Sequence, residues 1–345
     1  MADDNAARDR HITVDLPLYD RELRGFLPER IYDIHTHIGL AEHLDPITPE
    51  RVAESWALDV SPPIPTEELS AAQAMLFPGK SVRSLAFGMP IRECHLPEAN
   101  AYVAKAVADN AADGLLLTDP AWSADALANL LDDGGFIGLK PYPDLYRDAP
   151  TGEAGIPQYF PEAHQEVADE RGLIVTMHIP RKERLRDPRN QAELREVAAR
   201  HPGIQLIVAH IGRAYTMSFA EPGLRALAEC ESLYYDFSAN LNEDVIELTL
   251  RTVGPRRLLY GSDLPITLMR GVREHVGDRY INYTDGSYSW NKDRKPPEVE
   301  ARYTFYLYEQ LLAFKRAAER VGLSADDVAD VMGGNARRLV EEMGR

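Results

Sequence analysis

LIVTMHIPRKERLRDPRNQAELREVAARHPGIQLIVAH, residues 173–210, reads as one strand–helix–strand unit. Leu173–His178 and Gln205–His210 are short, unbroken apolar runs. Parallel strands covered on both faces read this way, whereas half-exposed antiparallel strands alternate. Gln191–Arg200 between them carries a helical pattern. The same grammar recurs along the chain. Further strands are expected at Ile31–His37, Ser84–Gly88, Gly114–Leu117, Phe136–Lys140, Leu233–Asp236 and Leu258–Asp263, and helices at Glu98–Asn110, Ser123–Leu131, Pro161–Arg171, Pro222–Glu229 and Glu243–Val253. Gly254-Pro255 closes the last of these as a helix terminus should. This alternation predicts an α/β fold, a (β/α)8 barrel of the TIM type. A doubly wound sheet is the rival, but it would show a Gly-rich phosphate turn after its first strand, and none is present.

Two stretches exceed a minimal barrel. One runs from Gly39 to about Lys80 after the first strand and holds Trp56 and the SPPIP segment; the other runs from Leu264 to about Tyr303 after the eighth. Both leave the carboxyl ends of strands, where barrel enzymes build their sites, so each is read as either a lid or a plain insertion. Extra C-terminal helices are expected at Tyr303–Val321 and Ala325–Val340. The domain reading is an N-terminal extension, 1–30, packed on a single barrel domain, 31–345.

Composition narrows the function. The 345 residues are 44% hydrophobic and 27% charged, ordinary for a globular chain, and the net charge of −17 argues against a nucleic-acid-binding face. Two cysteines, Cys94 and Cys230, are too few for a disulfide framework or a cysteine zinc site. A reducing, cytoplasmic setting is expected. The first twenty residues show no apolar signal-peptide core, and no stretch reaches membrane-span length.

The polar residues that end the strands carry the chemistry. His35 and His37 end the first, Lys140 the fourth, His178 the fifth, His210 the sixth and Asp263 the eighth. Taken singly, each has an ordinary explanation: a core histidine with a hydrogen bond, a turn cap, a solvated lysine. Together they gather at one end of one barrel, which independent caps have no reason to do, and imidazole with carboxylate is a metal-ligand set.

The series HTH, GLKPYP, TMH, VAHIG and GSDLP, with the closing DVMGGNARRLV, resembles the amidohydrolase superfamily, and most of all its amidohydrolase-related branch of hydrolases and nonoxidative decarboxylases. The resemblance spans about Ile31 to Leu339. It implies that His35, His37, His178 and Asp263 bind metal, and that Asp263 also accepts a proton. It implies for His210 a second metal in binuclear members, or substrate contact and proton transfer in mononuclear ones. Lys140 is left open: some binuclear members carbamylate a lysine there to bridge two ions, while many mononuclear relatives show a lysine that binds nothing. The resemblance also implies a homo-oligomer.

The chemistry fits this set. Zn²⁺ accepts imidazole and carboxylate, Mn²⁺ or Fe²⁺ is compatible, and one or two ions are expected. Metal-activated water would attack an amide, lactone or ester-like bond of a small molecule, with Asp263 taking the proton. The alternative is a nonoxidative decarboxylase or other carbon–carbon lyase on the same ligands. A catalytically silent metal-binding barrel is the third reading, disfavoured because a structural site needs no proton acceptor. Arg181 and Arg213, each three residues beyond a candidate histidine, are placed either as substrate-carboxylate clamps or as rim ion pairs. No nucleic-acid or membrane partner is expected.

Overall fold

The computed structural model describes residues 7–60 and 62–342, so the outermost parts of the expected extension and barrel domain, with Ser61 of SPPIP, lie outside the described residues. Eight parallel strands form one sheet in sequential order: β1 Arg30–His37, β2 Ser81–Phe87, β3 Asp113–Leu117, β4 Gly138–Lys140, β5 Ile174–Met177, β6 Gln205–Val208, β7 Leu233–Asp236 and β8 Leu258–Leu259. The chain beyond β8 closes the barrel. Ile34 N–H donates to Tyr260 O at 3.0 Å, Asp263 N–H to His35 O at 2.8 Å and His37 N–H to Leu264 O at 2.8 Å. Gly261 permits this seam, because a Cβ there would lie 2.7 Å from His35 Cβ.

Helices follow the strands in turn: α1 Thr66–Leu76, α2 Leu96–Ala108, α3 Ala124–Gly134, α4 Glu162–Glu170, α5 Pro188–Arg200, α6 Met217–Leu227, α7 Glu243–Val253 and α8 Tyr306–Val321. The strands have the unbroken burial that their continuous apolar runs imply: β3, β4, β5 and β6 are buried almost throughout. Their side chains supply two apolar layers, one outside the barrel against the helices and one inside.

Several expected boundaries move. The strands at His178, His210 and Asp263 stop one to four residues early, because those residues turn out of the ladder. The helix expected at Pro222–Glu229 begins at Met217, with Pro222 inside its first turns. The expected helix Ala325–Val340 is broken into Ala325–Ala329 and Asn335–Glu342 by a wider turn at Asp330–Gly334. Gly333 lets that turn approach β1: a Cβ there would meet Tyr32 N at 2.7 Å.

Neither long stretch is a plain loop. The first contains α1, the barrel's own outer helix, after short helices at Pro49–Glu54 and Ala57–Val60. The second forms an antiparallel hairpin, β9 Gly271–Val276 and β10 Arg279–Thr284. The two meet: Trp56 packs edge-on against Trp290 at 5.5 Å, and Asp59 accepts from Ser289 N–H at 2.6 Å. At the other end of the chain, Tyr19 stacks on Tyr308 at 5.8 Å and Arg270 pairs with buried Asp15. No helix among the described residues is long and apolar enough to cross a membrane.

Candidate metal centre

A cavity of about 840 Å³ opens at the carboxyl end of the strands, and His35, His37, His178, His210 and Asp263 all line it. The donor atoms of His35, His37 and Asp263 lie within 4.8 Å of one another, and so do those of His35, His210 and Asp236. His37 Nε2 is 3.3 Å from Asp263 Oδ1, and His35 Nε2 is 3.7 Å from the same oxygen.

The outer ring nitrogens explain how the rings are aimed. His37 Nδ1 faces Gly88 O at 3.2 Å, His35 Nδ1 faces Asp236 Oδ2 at 3.0 Å, and His210 Nδ1 faces Ser238 O at 3.0 Å. Each partner is an acceptor, so each ring carries its proton on Nδ1 and leaves a lone pair on Nε2. For His35 this is the carboxylate–histidine pairing that orients metal-binding imidazoles. The bare Nε2 atoms of His35 and His37 then point at the oxygen of a carboxylate. Lone pairs so placed repel unless a proton or a cation sits between them. That is the fit test for a divalent ion, and these residues pass it.

Charge states agree. Burial first, then the nearby Lys140, lowers the His35 pKa to about 3, so the ring stays neutral. Burial also lowers His178, helped by Arg213 and His210. Burial raises Asp263, but the surrounding His37, His210 and His35 more than offset it and hold the carboxyl well below its usual range. Asp236 is held low in the same way by His35, His210 and Ser238.

His178 lies at the edge of this arrangement. It follows β5, its ring is 4.6 Å from that of Tyr142 and 5.5 Å from that of His210, and it belongs to neither tight donor group. Its Nδ1 is buried without a partner. Such an orphan is uncommon in a protein interior and leaves the nitrogen free for a partner. Lys140 is also fully buried, with Nζ unpartnered 4.6 Å above the Phe87 ring; burial lowers it to about 8, against the pull of Asp236 and Asp263.

The two arginines separate. Arg181 gives 2.7 and 3.0 Å contacts to both Glu193 carboxylate oxygens and one of 2.9 Å to Asn190, and it does not line the cavity. It ties the β5 loop to α5, as a rim ion pair would. Arg213 lines the cavity and spends one nitrogen on the backbone oxygens of Ile179 and Pro180, at 3.3 and 2.9 Å. It pairs with no carboxylate among the described residues and lies close enough to His178 to lower it.

Sequence reasoning missed Asp236 and Ser238. Asp236 ends β7 as His37 ends β1, so the strand-end rule would have found it. Its carboxylate accepts from His35 Nδ1, from His210 N–H at 2.9 Å, and from the N–H and hydroxyl of Ser238. It also fixes an unusual turn: His210, Ile211, Gly212 and Arg213 have φ of 56°, 50°, 62° and 59°, and Asp263 has 59°. Left-handed backbone is costly for non-glycine residues and persists at functional sites where the surroundings enforce it.

A family model described as Amidohydrolase matches residues 32–341. No curated protein matches the sequence. Among solved structures, an amidohydrolase from Burkholderia multivorans with bound HEPES aligns at a TM-score of 0.56 and 16% identity, over 90% of this chain and 99% of that one. A 4-oxalomesaconate hydratase from Rhodopseudomonas palustris gives 0.54 and 13%, over 91% and 96%. A 2,6-dihydroxybenzoate decarboxylase complexed with 2,6-dihydroxybenzoate gives 0.52 and 13%, over 91% and 100%. Identities this low speak for the fold alone. The family match, which covers the barrel almost from end to end, says more: the chain belongs to the amidohydrolase family of metal-dependent enzymes.

Proposed function

We propose that the protein is a metal-dependent hydrolase acting on an amide, lactone or ester-like bond of a small, carboxylate-bearing molecule. The observation that carries this reading is the aim of the bare His35 and His37 Nε2 atoms at Asp263, on the floor of the large cavity. His35, His37 and Asp263 would hold the ion, and His178 would add a donor from the facing wall. Asp236 is taken up by His35 Nδ1, the His210 N–H and Ser238, so a second ion would draw on His178 and His210 instead. Zn²⁺ suits this donor set best, with Mn²⁺ or Fe²⁺ compatible. Bound there, the metal supplies Lewis acidity toward a carbonyl oxygen and toward water.

The chain's own residues do the rest. Asp263, ionised and facing the cavity, takes the proton that water loses as it attacks. His210, locked by Ser238 and Asp236, presents Nε2 to hold or pass on a proton. Arg213 draws a substrate carboxylate to the wall beside His178 with a charge-assisted hydrogen bond. Trp56 and Tyr280, from the two long segments, line the same cavity. The unpaired Arg213 also keeps nonoxidative decarboxylation as a second reading, because it would bring a carboxylate close to the donors.

The test is turnover of metal-loaded protein on a panel of lactones, esters and amides bearing a carboxylate, beside a panel of hydroxybenzoates. Acid release from the first panel, abolished by chelator and restored by metal, is the expected result. Carbon dioxide release from the second panel with no hydrolysis in the first would overturn hydrolysis in favour of the lyase.

A further inference from the structure

The opposite end of the barrel holds a second cleft, of about 300 Å³, lined by Arg30, Tyr32, Ser81, Arg83, Asp113, Arg337, Val340 and Glu341 among others. Its charges are unevenly paired. Asp113 is fully engaged: Arg83 grips it with two nitrogens, at 2.6 and 2.7 Å, and the Tyr32 hydroxyl donates to it as well. Arg30 and Arg337 make neither an ion pair nor a side-chain hydrogen bond among the described residues. They lie near enough to repel: burial, then the Arg30 charge, lowers the pKa of half-buried Arg337, with Glu341 and Asp330 acting weakly the other way. The one free carboxylate on the lining is the exposed Glu341.

Two neighbouring guanidiniums without a partner among the described residues, in a chain of net charge −17, need an explanation. Arg30 opens β1, and Arg337 stands on the final helix, whose Ala336 and Leu339 pack in one core cluster with Tyr32 of β1; the fold sets the two side by side and supplies no counter-charge to either among the described residues. Guanidinium forks match phosphate oxygens in pairs, and a dianion between two of them removes their repulsion. The Ser81 side chain offers a further hydroxyl on the same lining. We propose that this cleft binds a phosphate group, free or as a small phosphate monoester. The cleft is larger than one phosphate group, so a monoester with a short carbon skeleton fills it better. This site faces away from the metal centre and does not rest on the reaction proposed above.

The test is titration calorimetry on metal-loaded protein at matched ionic strength, with inorganic phosphate and with glycerol 3-phosphate as probes. One event per chain is expected, separate from any at the metal centre. It should weaken at least tenfold in the Arg30→Gln/Arg337→Gln variant, since each charge-assisted hydrogen bond contributes that order. Arg30→Gln alone changes an exposed residue and cannot compromise folding, so its loss of affinity is read without ambiguity. Glu341→Gln should bind more tightly, because it removes the one opposing charge. Tighter binding of glycerol 3-phosphate than of phosphate identifies the monoester as the ligand, and the reverse identifies the free ion. Equal affinity of all variants for both probes, or no binding beyond that seen with chloride, would overturn the proposal.

Discussion

Asp236 and Asp263 end neighbouring segments of the same barrel, both ionised and both buried, yet they do different work. Asp236 is saturated: His35 Nδ1, the His210 N–H and both donors of Ser238 converge on it, and it does not line the cavity. Asp263 faces the cavity, and among the described residues its carboxylate meets only the inner nitrogens of His35 and His37. A carboxylate with its oxygens fully engaged can orient its neighbours but has little capacity left to take a proton. One aimed at bare ring nitrogens has capacity for an ion or a proton. The comparison assigns positioning to Asp236 and reactivity to Asp263.

The largest effect should come from Asp263→Asn. It keeps shape and an oxygen donor but loses basicity, so kcat should fall by about 10²–10⁴ with KM nearly unchanged. Circular dichroism should show an intact fold. Full turnover with metal bound would end the distinction between the two carboxylates.

Next in size is Asp236→Asn, which should act on the metal rather than on the proton. Removing the partner of a metal-binding histidine typically costs about 10–100-fold in metal affinity. Adding metal back should therefore rescue much of its activity, as it should not for Asp263→Asn. Failure of rescue would mean that Asp236 takes part in the reaction itself. His178→Ala sharpens the same point: lower metal content would make it a ligand, and unchanged content would make it a pocket wall.

Smaller effects separate the two arginines. Arg213→Gln should raise KM by about tenfold or more for a carboxylate-bearing substrate, the worth of one charged hydrogen bond. Arg181→Gln should leave KM alone and lower thermal stability by about 1–3 kcal/mol, since it leaves Glu193 and Asn190 without their partner. A KM effect in the second variant would return Arg181 to the substrate.

These residues also show what could be read from sequence. The barrel was legible because unbroken apolar runs alternate with helical patterns, and His35, His37, His210 and Asp263 because each ends such a run. Asp236 obeys the same rule in LYYD, but no motif of the resemblance falls there to single it out. Arg181 and Arg213 sit at matching distances from their histidines. Only the packing of α5, which brings Glu193 to Arg181 while no described carboxylate pairs with Arg213, tells them apart. Helix α1 lay in plain view as TEELSAAQAML but was hidden by the proline-rich segment before it. The β9–β10 hairpin had its signal too, in Gly277-Asp278 between two runs of strand-forming residues.

The account turns on where the ion sits. Crystals of metal-loaded protein, measured at the absorption edge of the bound metal, would show it directly in an anomalous difference map. The account predicts a peak touching His35 Nε2, His37 Nε2 and an Asp263 oxygen, at about 2 Å from each. A peak held elsewhere, or none in protein whose elemental analysis shows metal, would contradict it.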